Sequence, residues 1–386
     1  MKYSHPMIRR LAQRLPVLCA LYFVVFAFVY LLLLQRDVLA QAQYQFSEGE
    51  ELYHPLVGAS LCTLLLMGLA VLLARFMHWL PLRLKAAPWF PSFFLLGLLT
   101  HWRFPQYGDL GSSPSWIYLG VLVVAYGVML LLGDIFMDSS KERETASTYV
   151  WPNLLLLALF SLVTVSLSNT DERLHHTLRS IRLAAEGNYD QILIIAHNQQ
   201  HPTRQLSAAT AFALSQQGLL GEQLFAYPQP FGASGLLPQR GDTLLFAPYV
   251  RSIGNHLGYL KTDRTPDSLF YEAAFRRPHV KPALRNYRLC AFLLDRDLPA
   301  FRSSLLESDT LSSALPRHYR EALLLEQQLR PLASDTLVDE ELSACFLQFD
   351  SLRLALSANP DECELRCREQ FPGTYWTYYY FPHNQK

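Results

Sequence analysis

The sequence predicts an all-α protein in two parts, an N-terminal bundle of about five transmembrane helices (1–168) and a soluble α-helical-repeat domain (169–386). Three observations carry this. Apolar runs long enough to cross a bilayer, which takes about 20 residues, fill the first part at 16–34, 56–74, 86–102, 116–137 and 149–168. The 386 residues are 51% apolar and 17% charged, but the charge is segregated: 22 of 33 Lys and Arg and 24 of 33 Asp and Glu follow residue 168. From Thr170 onward the apolar residues recur with a 3.6-residue period between Pro- and Gly-bearing breaks, the pattern of amphipathic helices.

The first run follows Lys2, Arg9, Arg10 and Arg14. A basic flank and the small-residue triplet Ala40-Gln41-Ala42 also suit a signal peptide, but the run exceeds the usual 7 to 15 residues of a cleaved segment, which favours an uncleaved anchor. The stretch from Gln35 to Pro55 is polar and acidic and reads as a first external loop. The second span closes at Arg75. The third, Ala86 to Trp102, carries Pro88 and Pro91 and is rimmed by Trp89 and Trp102, as interfacial tryptophans often rim a span, and it lies at the lower limit of length. The fourth ends near Asp134 and Asp138, and Lys141 and Arg143 precede the fifth, Tyr149 to Ser168, the last run able to cross.

With five crossings, nine basic residues lie on the N-terminal side and only Arg36 and Arg103 on the other. A re-entrant third run would leave eight against three and reverse the side of everything after Ser168. Positive charge collects on the cytoplasmic face, so the N-terminus is expected in the cytoplasm and the C-terminal domain outside the cytoplasmic membrane. No Lys, Arg, Asp or Glu occupies the middle of a span, which argues against a transporter. His101 and Asp134 sit at span ends.

In the second part, the expected helices are Leu174–Ala185, Asp190–Asn198, Gln205–Ser215, Glu222–Tyr227, Leu244–Leu260, Ser268–Phe275, Pro282–Leu294, Pro299–Glu307, Arg317–Leu329 and Val338–Ala358, with a long loop over Pro228–Gly241. Paired antiparallel helices with small residues at Ala208, Ala209, Ala211 and Ala213 resemble tetratricopeptide-type repeats, although the Trp and Leu-Gly consensus positions are absent. The domain carries 22 basic and 24 acidic residues; its near-neutral balance is not that of a nucleic-acid-binding domain.

The spans together with Ala211-Phe-Ala-Leu-Ser215, Gly218-Leu-Leu-Gly-Glu-Gln-Leu-Phe-Ala-Tyr-Pro-Gln229 and Gly373-Thr-Tyr-Trp-Thr-Tyr-Tyr-Tyr-Phe381 resemble an uncharacterised family, one with a domain of unknown function. Its members are multi-spanning proteins of gram-negative bacteria with a tetratricopeptide-like C-terminal region. The resemblance implies the same layout here and carries no catalytic residue.

No C-x-x-C, G-x-S-x-G or phosphate-binding glycine loop occurs, and no catalytic, cofactor or metal residue is assigned. His197 and His201 are four apart, a metal-compatible spacing, but the Glu of H-E-x-x-H is missing and Pro202 follows. His175 and His176 are adjacent and diverge on a helix. Cys19 and Cys62 read as small buried hydrophobes; Cys290, Cys345, Cys363 and Cys367 are compatible with free thiols, a Cys363–Cys367 bridge, or pairing with Cys345 or Cys290.

Two surfaces are candidates for partner binding. Lys281, Arg285 and Arg288 form a basic stripe at helical spacing, suited to an acidic partner or to lipid headgroups. Tyr375, Trp376 and Tyr378 belong to an aromatic tail that either docks on the last helices, anchors at the membrane interface or binds a glycan or peptide. The composite expectation is a membrane-anchored interaction protein, in contact with membrane lipids and with another envelope protein or peptide. The alternative is an envelope enzyme, such as a glycan or lipid-linked sugar transferase, drawing a carboxylate from Asp37, Glu48, Glu50 or Glu51.

Overall fold

The computed structural model describes residues 6–47, 53–101, 116–137, 146–238, 247–258, 280–307, 315–330 and 340–381. The chain divides into two compact units, Met1–Leu178 and Arg179–Lys386. Among the described residues all regular structure is helical.

The first unit contains α1 (Pro6–Val29), a π-helical turn (Tyr30–Leu34), α2 (Arg36–Phe46), α3 (Pro55–Phe76), α4 (Phe90–Leu99), α5 (Trp116–Met137), α6 (Ala146–Leu167) and the start of α7 (Glu172–Glu186). Three helical stretches are long and apolar enough to cross a membrane, Gln13–Leu34, Pro55–Phe76 and Ala146–Leu167, and α5 adds a shorter apolar stretch, Tyr118–Leu131. Two expectations need revision. The run 86–102 is a 3-10 turn (Ala87–Trp89) followed by the ten-residue α4, because Pro88 and Pro91 cannot donate the bonds that would make one longer helix. Part of the expected external loop is α2, which is buried over the consecutive residues Val38, Leu39, Ala40, Gln41 and Ala42 and opens with Asp37, favourable at a helix N-terminus.

These helices invert the usual burial rule. On α3 the buried residues are small, Ala59, Thr63 and Ala70, whereas Leu61, Leu64, Leu65 and Leu72 are exposed. Helix α1 buries Leu15, Cys19, Phe23 and Ala27 and exposes Val17, Leu21, Val25 and Val29. Helix α6 turns Trp151, Leu155 and Leu162 outward. Small residues let helices approach closely, and large aliphatics facing out suit a lipid solvent. The interior is aromatic, with Phe23 edge-on to Phe93 at 5.0 Å, Phe90 stacked on Tyr126 at 4.4 Å and Phe90 edge-on to Phe160 at 5.2 Å.

Hydrogen bonds fix the helix directions. Asn153, near the start of α6, accepts from Ala86 N (2.6 Å) and donates to Leu82 O (2.9 Å). Farther along, Thr164 donates to Phe93 O (2.9 Å), and Asn169 N donates to Thr100 O (3.2 Å). Residues 82–100 therefore rise beside α6 in the same direction, over the about 21 Å that the helix covers from Asn153 to Leu167. Tyr22 pairs with Ser161 (3.2 Å) and Gln35 with Asn169 O (3.3 Å), so α1 also runs parallel to α6. Helix α5 runs against them, since Tyr118 bonds Ser166 (3.0 Å) and Tyr126 donates to Ala87 O (3.1 Å). Helix α3 descends to residues 77–81, which lead into the level of Asn153.

The second unit completes α7 and continues with α8 (Tyr189–His197), α9 (Arg204–Gln216), α10 (Leu220–Gln223), α11 (Ala247–Leu257), α12 (Pro282–Leu294), α13 (Leu298–Leu306), α14 (Arg317–Leu329), α15 (Glu340–Ala355), α16 (Pro360–Gln370) and α17 (Tyr375–Tyr380). Helix α7 ends at Gly187 (φ +77°), with Asn188 N bonding back to Leu183 O at 2.9 Å, a left-handed terminus that glycine adopts without strain. Helices α8 and α9 are antiparallel: Tyr189 meets Phe212 edge-on at 5.7 Å and Gln217 donates to Asp190 (2.7 Å). Thr203 caps α9 by accepting from Leu206 N (3.2 Å), and the small residues of α9 are buried. The hairpin α12–α13 turns through Arg296 (φ 60°), and Asp297 caps α13 by accepting from Ala300 N (3.0 Å). The expected single helix 338–358 is the shorter α15, broken before Pro360, which opens α16 and leaves both on one antiparallel pair around Phe349 and Phe371. The expected helix Ser268–Phe275 lies outside the described residues.

Candidate functional site

The C-terminal aromatic segment is assembled around one buried carboxylate. Glu321 of α14 is fully buried, and its Oε2 accepts from Tyr375 N (2.7 Å) and faces His318 Nδ1 (3.0 Å), while Oε1 accepts from Arg317 Nε (2.8 Å). Its backbone carbonyl takes the indole N–H of Trp376 at 2.9 Å. On the far side of the imidazole, Phe225 N donates to His318 Nε2 (3.4 Å). With Nδ1 against the carboxylate and Nε2 receiving a backbone N–H, the imidazole is occupied at both nitrogens. This carboxylate–histidine pair is thus a clamp with no free base. Burial opposes the ionised form of Glu321, but the hydrogen bond from His318, the Tyr375 N–H and the Arg317 guanidinium outweigh it and hold the carboxyl below its usual range.

This clamp determines where the tail residues lie. Tyr375 and Trp376 are both buried, with Trp376 edge-on to Phe346 at 5.0 Å. Tyr378 is half-buried; its hydroxyl donates to Leu294 O (2.7 Å) and Arg296 lies over its ring at 5.2 Å. Burial pushes the Tyr378 phenol up to about 12. Only Tyr378 of the three keeps part of its ring at the surface.

The basic residues are less uniform than their spacing suggests. Lys281 precedes α12 and donates to Asn255 O (2.5 Å), Arg285 is exposed, and Arg288 is half-buried over the ring of Phe292 at 5.4 Å. Next to them, Ser215 at the end of α9 meets His256 Nε2 of α11 at 2.7 Å. Burial, then the charge of Lys281, pushes the His256 imidazole down, which favours its neutral form beside the Ser215 hydroxyl. A serine activated for attack also needs an oriented base and oxyanion donors. Among the described residues no carboxylate bonds to His256, and the pair reads as a tie between α9 and α11.

In the first unit, polar groups gather where α1, α4 and α6 end. Tyr30 bonds Thr100 (2.9 Å), His101 Nδ1 bonds Leu167 O (2.7 Å), and Asn169 O receives both Gln35 Nε2 (3.3 Å) and His175 Nε2 (2.9 Å). The side chains of His101, Gln35 and His175 satisfy carbonyls that the α6–α7 break releases, as backbone leaving an apolar medium requires. Asp37 is half-buried in α2; Glu48, Glu50 and Glu51 lie outside the described residues.

The remaining candidates do not converge. Helix α8 ends at His197, so His201 is not on its face, and among the described residues no three His, Cys, Asp or Glu side chains form a metal-sized group. All six cysteines are free thiols, with Cys290, Cys363 and Cys367 buried. Glu321, His318 and Asn153 escape a search for motifs. A sharper signal was present: Glu321 lies three residues after His318 and four before Leu325, on the apolar face of α14, where an unpaired carboxylate would be costly.

Fold and sites together define an all-α protein with an apolar helical unit, a unit of packed helical pairs and buried polar clamps. The chain belongs to a family of unknown function, DUF6057, whose model matches residues 17–263 and 255–382. No curated protein and no solved structure matches it.

Proposed function

We propose that this protein is a multi-pass protein of the bacterial cytoplasmic membrane, in which five crossings carry the tetratricopeptide-like unit after residue 168 into the periplasm. There the unit serves as an interaction module for another envelope protein or peptide. The observation that carries the reading is the outward apolar surface of α1, α3, α5 and α6, combined with alternating helix directions. Helices α1 and α6 are parallel, so an odd number of crossings lies between them and α6 leaves on the face opposite the N-terminus. Either three or five crossings satisfy this, and four do not. The nine basic residues flanking the N-terminal side then lie in the cytoplasm. Packed helical pairs, α8–α9, α12–α13 and α15–α16, support the interaction role, since stacked pairs leave an extended face for a partner. The exposed Arg285 and half-buried Arg288 mark an edge of that face suited to acidic groups.

Alkaline phosphatase fused after Lys386 and after Leu110 tests the sidedness. Both fusions are expected to be active, and a silent fusion at Lys386 overturns the assignment. For the partner surface, Arg285→Glu with Arg288→Glu is expected to remove cross-linked species that the unaltered chain gives in intact membranes. An unchanged cross-linking pattern removes those residues from the proposal.

A further inference from the structure

The first unit has a groove of about 390 Å³ at the N-terminal ends of α1 and α6. Its walls are Leu15, Val17, Leu18 and Leu21 of α1 and Val150 of α6, and Gln13 and Arg14 stand at one end. Leu15 is buried and forms the floor, whereas Val17 and Leu21 are more than half exposed and leave the groove open to the side. On a helix, residues 10, 14, 18 and 21 share a face. Two arginines therefore lead directly into an aliphatic channel.

Arg10 and Arg14 are both exposed, and among the described residues no acidic side chain lines the groove. Arg83 adds charge at the same end, lying 5.8 Å over the ring of Tyr149, the residue before Val150. An apolar trough that leads to the exposed guanidinium groups of Arg10 and Arg14 matches one molecular shape, an acyl chain ending in a phosphate. We propose that this groove binds an anionic phospholipid, with one acyl chain along Leu18 and Leu21 and the phosphodiester at Arg14. The proposal rests on the membrane reading above. A glycerol headgroup leaves the lipid a net negative charge for Arg10 and Arg14 to meet. An ethanolamine headgroup would bring an ammonium against them.

The full-length chain, purified in mild detergent, can be titrated with phosphatidylglycerol and phosphatidylethanolamine and the bound lipid counted by native mass spectrometry. The unaltered chain is expected to hold one phosphatidylglycerol more tightly than phosphatidylethanolamine. Arg14→Gln should weaken that preference about five-fold, the value of one basic side chain at an anionic surface. Leu18→Trp, which fills the channel from its lipid-exposed side, should remove the tight lipid of either headgroup, while Arg75→Gln on α3 changes neither. Equal retention of both lipids, as for an ordinary annular lipid, overturns the proposal, as does full retention by both groove variants. Release of the unaltered chain from membranes by alkaline carbonate without detergent is a different result, and it overturns the membrane reading itself.

Discussion

At the scale of single residues, Glu321 has the largest consequences. It joins Arg317, His318, the Tyr375 N–H and, through its carbonyl, Trp376. Removing one partner of a buried, hydrogen-bonded charge typically costs about 3–5 kcal/mol, so Glu321→Ala should lower stability by about that much, and Glu321→Gln, which keeps an acceptor, by less. Thermal or urea unfolding in detergent measures both. Its pH dependence has a definite sign. The folded carboxyl titrates below the unfolded value of about 4.3, so its contribution is complete above that pH and disappears as pH falls through the folded value. Glu321→Gln should flatten the acid limb of the stability profile, and an unchanged limb would place the acid-sensitive group elsewhere. Tyr375 provides the opposite case: its hydroxyl is buried without a partner among the described residues, so Tyr375→Phe should stabilise by about 1 kcal/mol. Neither residue stands out in the sequence. Aromatic residues in the tail signalled packing, but nothing local indicated that a carboxylate 54 positions earlier receives the Tyr375 N–H.

At the scale of elements, legibility followed periodicity. Helices α9, α12 and α14 agree with their sequence pattern to within a residue because each has a cap or a proline at its start and a continuous apolar face. The exceptions have local causes. Helix α2 is buried all round over Val38 to Ala42 despite its polar composition, α4 is shortened by two prolines, and α15 ends ahead of Pro360. Helix α17 is only six residues long. A helix that short is marginal in water on its own, and its stability comes from Thr374, the Glu321 clamp and the rings of Phe225, Phe346 and Phe349. Truncation after Gly373 should uncover those rings, with increased dye binding and faster proteolysis of the second unit. Trp376→Ala should cost about 3–5 kcal/mol by the same route, the usual loss for a buried Trp or Phe. If both variants unfold like the unaltered chain, the tail is not part of the core.

At the scale of the whole molecule, the question is how a sequence that is undecided about one short run can specify a topology. Charge counting separated the alternatives by only one residue on each face. Directional contacts are more discriminating. Asn153 holds Ala86 and Leu82 at the start of α6, and Thr100 meets Asn169 at its end, so the Pro-rich third run advances as far as α6 does over those residues. Its 3-10 turn rises about 2.0 Å per residue, more than the 1.5 Å of an α-helix, which lets a short run reach farther. Under this reading residues 102–115 lie on the periplasmic side and residues 138–145 on the cytoplasmic side. Substituted cysteines test both loops in intact cells, in a chain with the two half-exposed thiols removed by Cys62→Ala and Cys345→Ser. Ser112→Cys should react with a membrane-impermeant maleimide from outside, and Ser139→Cys only after permeabilisation. Protection of Ser112→Cys with labelling of Ser139→Cys would mean that the run 86–102 does not cross and that α5 and α6 traverse in the reverse sense. Because α1 and α6 are parallel, that result would also require the described packing of the first unit to be rearranged.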